Sequence, residues 1–325
     1  MKAVTSDQFE TFLASVTSAF DVRVPIALED GTRSLGRLGE GPLVLAGGAL
    51  PGKPTAVFFP QFETTLTYRP GCVQMQQAPE RPLLVVGLTS EDANCLEFMD
   101  RFFNEPFHDD VYFHKRAGAV IVVVSGRCGP NGRFLKISRG NCDLELVSDG
   151  ARFVVVPHTE TGRHLCDRID NGGEASLDPL QRESDALGTE FADTVNRASE
   201  LMRQDKVPEA FWQELGDRCI ACTGCNLVCP TCTCFDVYDW KCGKLVERQR
   251  LWDSCQLSGF AREASGFNPL STEGSRARRR IHHKLVADPQ RWGSITCFHC
   301  GRCDDVCPAG LGIRAVCQKI VERYG

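Results

Sequence analysis

The sequence has no run of about 18 apolar residues, the length that a helix needs to cross a bilayer. Its first twenty residues include Asp7 and Glu10 and lack a basic segment followed by an apolar one, so we expect no secretory signal. A nucleotide motif is also missing, because GGALPGKPT at 47–55 has Pro54 where a phosphate loop needs a hydroxyl. These absences predict a cytoplasmic chain with no membrane span and no dinucleotide site of its own.

Cysteine, in contrast, is abundant, with 18 in 325 residues. Disulfides do not persist in a reducing cytoplasm, so this number of thiols indicates metal binding. Five cysteines are scattered over residues 1–216, whereas thirteen lie between Cys219 and Cys317. Net charge changes at the same place, from −10 over residues 1–216 to +5 over 217–325. Both changes predict a domain boundary near residue 217.

Hydrophobic periodicity predicts a mixed α+β domain over residues 1–170, which we interpret as a scaffold and docking domain. Thr5 and Gln8 stand in capping-box positions before an amphipathic helix, and 90–103 has a second helical pattern. Short β-branched runs predict strands at 42–46, 55–59, 83–88, 119–124 and 153–156.

The remaining chain is predicted to hold two further parts. Residues 171–216 begin with a polar, glycine-bearing stretch and continue as an amphipathic helix, which indicates a linker and connecting helix. Residues 217–325 have few strand-like runs, so we expect a mainly helical, ferredoxin-like dicluster domain there.

One cysteine motif occurs twice in this last region, as C-x2-C-x2-C-x3-C-P at 219–230 and at 297–308. Three thiolates at this spacing wrap three corners of an iron–sulfur cubane, and in two-cluster proteins the fourth cysteine ligates the other cluster. Structural zinc, the alternative, uses two C-x-x-C pairs and has no role for a third regularly spaced cysteine. The predicted 4Fe-4S ligands are Cys219, Cys222, Cys225 and Cys307 for cluster one, and Cys297, Cys300, Cys303 and Cys229 for cluster two.

Fully ligated cubanes offer no coordination site for a substrate, so the motif predicts a carrier of single electrons without catalytic residues of its own. Cys232, Cys234 and Cys255 leave three readings open: a further metal site with a third cluster, a redox thiol pair, or ordinary core residues. The second reading would make the chain a thiol or disulfide reductase acting beside a cluster.

Basic residues concentrate in the segment 276–284, which contains four arginines and Lys284. Such a run is found in nucleic-acid-binding proteins, but the overall charge of −5 argues against a nucleic-acid partner. Ile281 and Leu285 lie four residues apart, as on a helix with one packed face. We therefore expect these cations to neutralise thiolate-rich clusters or to dock an acidic partner.

Four segments have a distinctive sequence: CIACTGCNLVCPTCTCFDVYD at 219–239, ERQRLWDSC at 247–255, STEGSRARRRIHHKL at 271–285 and CFHCGRCDDVCPAGLGI at 297–313. They resemble the two-cluster iron–sulfur subunit family that includes the beta subunit of cytoplasmic sulfhydrogenase and the iron–sulfur subunit of anaerobic sulfite reductase. The resemblance implies an electron-transfer subunit in anaerobic metabolism. Its implied partners are a flavoprotein that carries FAD and oxidises NAD(P)H, and a catalytic subunit with nickel–iron or sirohaem.

The N-terminal region departs from this family. Many relatives carry a Gly-x-Arg-Pro-Cys-Asp turn and, later, one cysteine followed by a C-x-C pair. This chain has GLTSED at 87–92 in place of the turn and GRFLKIS at 132–138 in place of the pair. Of these four cysteines it retains only the one before the pair, Cys128. The resemblance therefore does not imply a cluster in residues 1–170.

Overall fold

The computed structural model describes residues 1–170 and 172–325, which form two compact units. The first unit comprises Met1–Phe59 and Gln77–Gly188, and the second comprises Pro60–Gln76 and Thr189–Gly325. Among the described residues, no helix is long and apolar enough to span a membrane.

The secondary structure alternates between short strands and helices. The strands are β1 (Ala3–Val4), β2 (Asp21–Ala27), β3 (Arg33–Arg37), β4 (Phe62–Arg69), β5 (Cys72–Met75), β6 (Leu83–Leu88), β7 (Val120–Arg127), β8 (Phe134–Leu135), β9 (Leu144–Ser148), β10 (Phe153–Pro157), β11 (Phe235–Cys242) and β12 (Leu245–Trp252). The helices are α1 (Ser6–Ser15), α2 (Ser90–Asn104), α3 (Asp110–Arg116), α4 (Glu160–Arg168), α5 (Asp178–Asp185), α6 (Glu190–Arg203), α7 (Glu209–Arg218), α8 (Gly224–Leu227), α9 (Glu273–His282), α10 (Asp288–Trp292), α11 (Arg302–Asp305) and α12 (Ile313–Tyr324).

The first unit is built on one sheet with strand order β1-β10-β9-β7-β6-β2-β3, and β8 pairs with β7. The four central strands, β9, β7, β6 and β2, run parallel to one another. The pairs at the two edges of the sheet, β1 with β10, β10 with β9 and β2 with β3, are antiparallel. Helix α1 begins with the predicted capping box of Thr5 and Gln8 and contributes Phe9 and Leu13 to the main apolar layer. A smaller apolar layer contains Ile137, among others. This architecture confirms the mixed α and β prediction for the region.

Two of the predicted strands in this unit are wrong. In place of the strand predicted at 55–59, residues 54–57 form a 3₁₀ turn. Pro54 lies at its start, where the fixed φ and the missing N–H of proline are compatible with a helical conformation. Residues 42–46 make only an isolated bridge, between Leu43 and Ile26.

The second unit combines helices with an antiparallel sheet of order β11-β12-β4-β5. Its apolar core gathers side chains from α6, α7, α9 and α12, including Trp212 and Ile320. The sheet was not part of the prediction of a mainly helical domain, because its strands come from two distant segments. Glu63 on β4 and Arg250 on β12 join these segments by a buried ion pair of 2.6 Å.

The bounds of these units differ from the predicted domains. Helix α6 packs against α12, so the predicted connecting helix belongs to the core of the second unit. Residues 172–188 belong to the first unit, where α5 contributes Leu180 to the smaller apolar layer.

Candidate metal centres

The two cysteine loops repeat each other in backbone conformation. Ala221 and Thr223 have positive φ angles of 51° and 62° in the first loop, and His299 and Gly301 have 62° and 79° at the same offsets in the second. One helical turn follows in each case, α8 in the first loop and α11 in the second, and these turns pack against each other. Left-handed residues at such turns direct successive backbone N–H groups into a concavity that suits an anion.

A cavity in the second unit collects cysteines from both loops. It is lined by Cys219, Cys222 and Cys225 of the first loop and by Cys307 of the second, with Arg280 also at its wall. The structure thus brings together the four residues predicted for cluster one. Their donor set of four thiols fits a 4Fe-4S cluster.

Three cysteines of the other predicted set, Cys229, Cys297 and Cys303, also lie close to one another. Cys297 interacts electrostatically with Cys303 and Cys229, and burial raises the pKa of Cys297 to about 12. Cys303 is buried and accepts a hydrogen bond of 3.4 Å from the backbone N–H of Ile313. Cys300 lies half-buried between them in the loop. A bound metal favours the thiolate form of such cysteines, because a thiol must lose its proton to become a ligand.

The comparisons with known proteins agree with these loops. Residues 218–311 match the family described as 4Fe-4S dicluster domain. The chain is 27% identical to sulfhydrogenase 2 subunit beta of Pyrococcus furiosus over 255 residues, or 74% of each chain. It is also 21% identical over 170 residues to the F420-dependent formate dehydrogenase subunit beta of Methanocaldococcus jannaschii, covering 50% of this chain and 37% of that protein. No solved structure shows significant similarity.

The chain thus contains a region similar to 4Fe-4S dicluster domains, and over most of its length it is similar to the beta subunit of a sulfhydrogenase. Its dicluster domain therefore carries the predicted motif in the expected part of the chain.

Buried cations face the cysteines of the dicluster domain from α9 and the π-helical turn that follows it. Arg280 donates to the Oδ1 of Asn226 at 3.0 Å and to the carbonyl of Cys225 at 3.2 Å. Lys284 donates from Nζ to the Oγ1 of Thr231 at 2.7 Å. Burial opposes the charge of Lys284, but the nearby cysteine sulfurs, Cys229 first among them, raise its pKa above the ordinary value. The segment 276–284 was predicted either to neutralise clusters or to dock an acidic partner, and the structure places these two of its side chains among the cysteines.

Two further cysteines of the dicluster domain contact Asn226, whose role the sequence did not reveal, and a third contacts one of these two. The Nδ2 of Asn226 donates to the Sγ of Cys255 at 3.2 Å, and its Oδ1 accepts from Cys232 at 3.7 Å. Cys234 is hydrogen-bonded to Cys255, which lowers the pKa of Cys255 to about 5. Cys232, Cys234 and Cys255 are therefore neighbours, as a metal site and a redox thiol pair would both require.

Proposed function

We propose that the dicluster domain holds two 4Fe-4S clusters with exchanged fourth ligands and that the chain relays single electrons within a multi-subunit oxidoreductase. Cluster one takes Cys219, Cys222, Cys225 and Cys307; cluster two takes Cys297, Cys300, Cys303 and Cys229. The observation that carries the proposal is the cavity that Cys307 shares with the three cysteines of the other loop. When bound, such clusters supply one-electron transfer at sites closed to substrate.

The residues of this chain would then position and stabilise the clusters. Each loop offers thiolates and inward-facing N–H groups, and the exchanged cysteines hold the two sites close together. An oxidised cluster with four thiolates carries a charge of about −2. Arg280 and Lys284 are both buried and supply positive charge where this negative charge would otherwise be poorly solvated.

The relatives support a relay whose reaction depends on the partner. Their names refer to a sulfhydrogenase and to an F420-dependent formate dehydrogenase, two enzymes with different substrates, and both matches are beta subunits. A shared subunit in assemblies with different substrates fits electron transfer better than substrate chemistry. The partners we propose are a flavin subunit that oxidises NAD(P)H and a catalytic subunit with nickel–iron or sirohaem, in the cytoplasm.

A thiol or disulfide reductase is the second candidate, because Cys234 and Cys255 are hydrogen-bonded and the pKa of Cys255 is lowered. Selective alkylation of these thiols, with the cluster spectra intact, separates the two functions. Loss of disulfide reduction supports the reductase; unchanged one-electron transfer between external donors and acceptors supports the relay.

Paired cysteine variants test the exchanged ligands directly. With exchange, Cys219→Ala and Cys307→Ala damage the same cluster, so the double variant should keep about four of about eight iron atoms. The pair Cys219→Ala and Cys229→Ala should damage both clusters. Without exchange, the first pair loses both clusters and the second pair loses one. Iron and sulfide content and EPR spectra of reduced, anaerobically purified protein measure the outcome, and Cys317→Ala, a buried cysteine outside the motif, is the control.

A further inference from the structure

The first unit contains a second cluster of metal-binding side chains, far in sequence from the cysteine loops. Ligand atoms of Cys142, Glu145 and His158 all lie within 4.8 Å of one another. The Nε2 of His158 is 3.1 Å from the Oε2 of Glu145. No part of the proposed electron relay uses these three residues.

The sheet topology explains why they meet. Cys142 lies just before β9, and His158 lies just after β10. These strands are antiparallel and adjacent, with Leu144 opposite Pro157, so the start of one and the end of the other share one end of the sheet. Glu145 is the second residue of β9 and points to the same face as Val147, into the smaller apolar layer.

Glu145 is an unusual residue for this position. Its side chain is 0% exposed, and a carboxylate in an apolar layer requires partners for both oxygens. Ser125 Oγ donates to Oε1 at 2.5 Å, and Ser138 donates from its backbone N to Oε1 and from Oγ to Oε2. Despite burial, hydrogen bonds from His158 and the serines hold the pKa of Glu145 below its ordinary value. The oxygen atoms are therefore fixed, charged and aimed at the thiol and the imidazole.

The other two groups complete a set of donors with different chemistry. Cys142 is buried, which raises the pKa of its thiol to about 12. The side chain of His158 keeps 19% of its surface exposed, so the cluster has one side open to solvent. One sulfur, one nitrogen and one carboxylate oxygen are all ligands of Zn²⁺, and sites with three protein ligands keep a fourth position for water.

We propose that Cys142, Glu145 and His158 bind a Zn²⁺ ion, through Sγ, a carboxylate oxygen and Nε2, with water in the fourth position. Binding replaces the proton of the Cys142 thiol, which leaves to solvent. The zinc-bound group, with Zn²⁺, a thiolate, a carboxylate and a neutral imidazole, has zero net charge. The buried site therefore holds the metal without a net charge.

Two other titratable groups lie near the site and do not supply ligands. Asp143 accepts hydrogen bonds from the Oγ1 of Thr159 and the backbone N–H of Ile121, at 2.7 and 2.9 Å. Cys128 is buried and interacts electrostatically with Glu145. Of the two, Asp143 acts on Cys142 by charge, opposing the loss of its proton.

Zinc content and X-ray absorption of the full-length, cluster-loaded protein test the proposal. After incubation with Zn²⁺ and dialysis, we expect about one zinc per chain, with one sulfur at about 2.3 Å and nitrogen or oxygen ligands at about 2.0–2.1 Å. Cys142→Ser should remove the sulfur from the zinc shell, and Glu145→Gln, which preserves the shape of the side chain, should weaken zinc binding at least about tenfold. Cys95→Ser, a buried thiol on α2 of the same unit, is the matched control and should bind zinc normally.

Two results overturn the proposal. A zinc shell of four sulfurs means that the ion occupies the cysteine loops, and absence of retained zinc in folded protein means that the three residues form only a hydrogen-bond network. Thermal unfolding monitored by circular dichroism establishes that each variant is folded. Iron content should remain unchanged in every variant, so failure of this site is distinguishable from failure of the electron relay.

Discussion

Replacing Lys284 by methionine should lower the reduction potential of the cluster that we propose Cys229 ligates by roughly 100 mV. The Oγ1 of Thr231 lies 2.7 Å from Lys284 Nζ and 3.6 Å from Cys229 Sγ, so the cation and the sulfur are at most about 6 Å apart. A unit charge at this distance contributes about 3 kcal/mol at an effective dielectric constant of about 20. For a one-electron couple, this energy corresponds to roughly 120 mV. The expected shift is somewhat smaller, because the added electron is spread over the whole cluster. The sign follows because the cation stabilises the reduced, more negative cluster.

An EPR-monitored redox titration measures the effect on anaerobically purified protein. Lys284→Arg keeps the positive charge and changes only its position, so the reduction potential of this variant should stay within about 30 mV of the wild-type value. Lys244→Met is the control for a lysine exposed to solvent, where screening makes the effect small. A shift below about 20 mV in Lys284→Met, with full iron content, would refute the electrostatic reasoning.

Two further predictions concern buried carboxylates. Glu63→Gln removes the charge opposite Arg250 in the buried ion pair, and the guanidinium stays buried without its partner charge. The substitution should lower the local stability of the sheet by about 3–5 kcal/mol. Backbone hydrogen exchange in β4 and β12 should then be at least about 100-fold faster, and an unchanged exchange rate would contradict this prediction. In zinc-free protein, the lowered pKa of Glu145 stabilises the first unit above pH 4.5, the ordinary pKa, and this stability is lost as pH falls through the folded pKa. The Glu145→Gln variant should therefore lose less stability than the wild type when the pH is lowered below 4.5, as measured by unfolding at a series of pH values. Identical dependence of stability on pH in the two proteins would contradict this prediction.

Local patterns in the sequence predicted those parts of the structure whose causes are local. The cysteine loops follow from spacing alone, and the capping box of Thr5 and Gln8 marks the start of α1 because both partners lie within four residues. The helix predicted at 90–103 agrees with α2, because the helical spacing of its apolar residues is also a local pattern. The strand predicted at 83–88 agrees with β6, a run of buried apolar residues.

Features that depend on distant partners were not predictable in this way. Every residue of β11 is exposed, so its sequence shows no buried face, and the sheet becomes evident only when β12 pairs with β4. Arg280 and Lys284 have the composition of a solvated helix face, but Asn226 and Thr231 provide their hydrogen bonds from elsewhere in the chain. The meeting of Cys142 with His158 depends on the pairing of β9 with β10.

The sheet of the second unit also sets an order of events during synthesis. Strands β4 and β5 leave the ribosome early, yet β12, the partner of β4, is encoded after residue 244. At 5–20 residues per second, β4 would wait roughly 10–35 s with its backbone groups exposed. A fragment that starts at Thr189 would never receive these strands, and β12 would present an open edge to other chains. Expression of the dicluster domain alone should therefore require residues 60–76 to be supplied as a fusion or a second peptide.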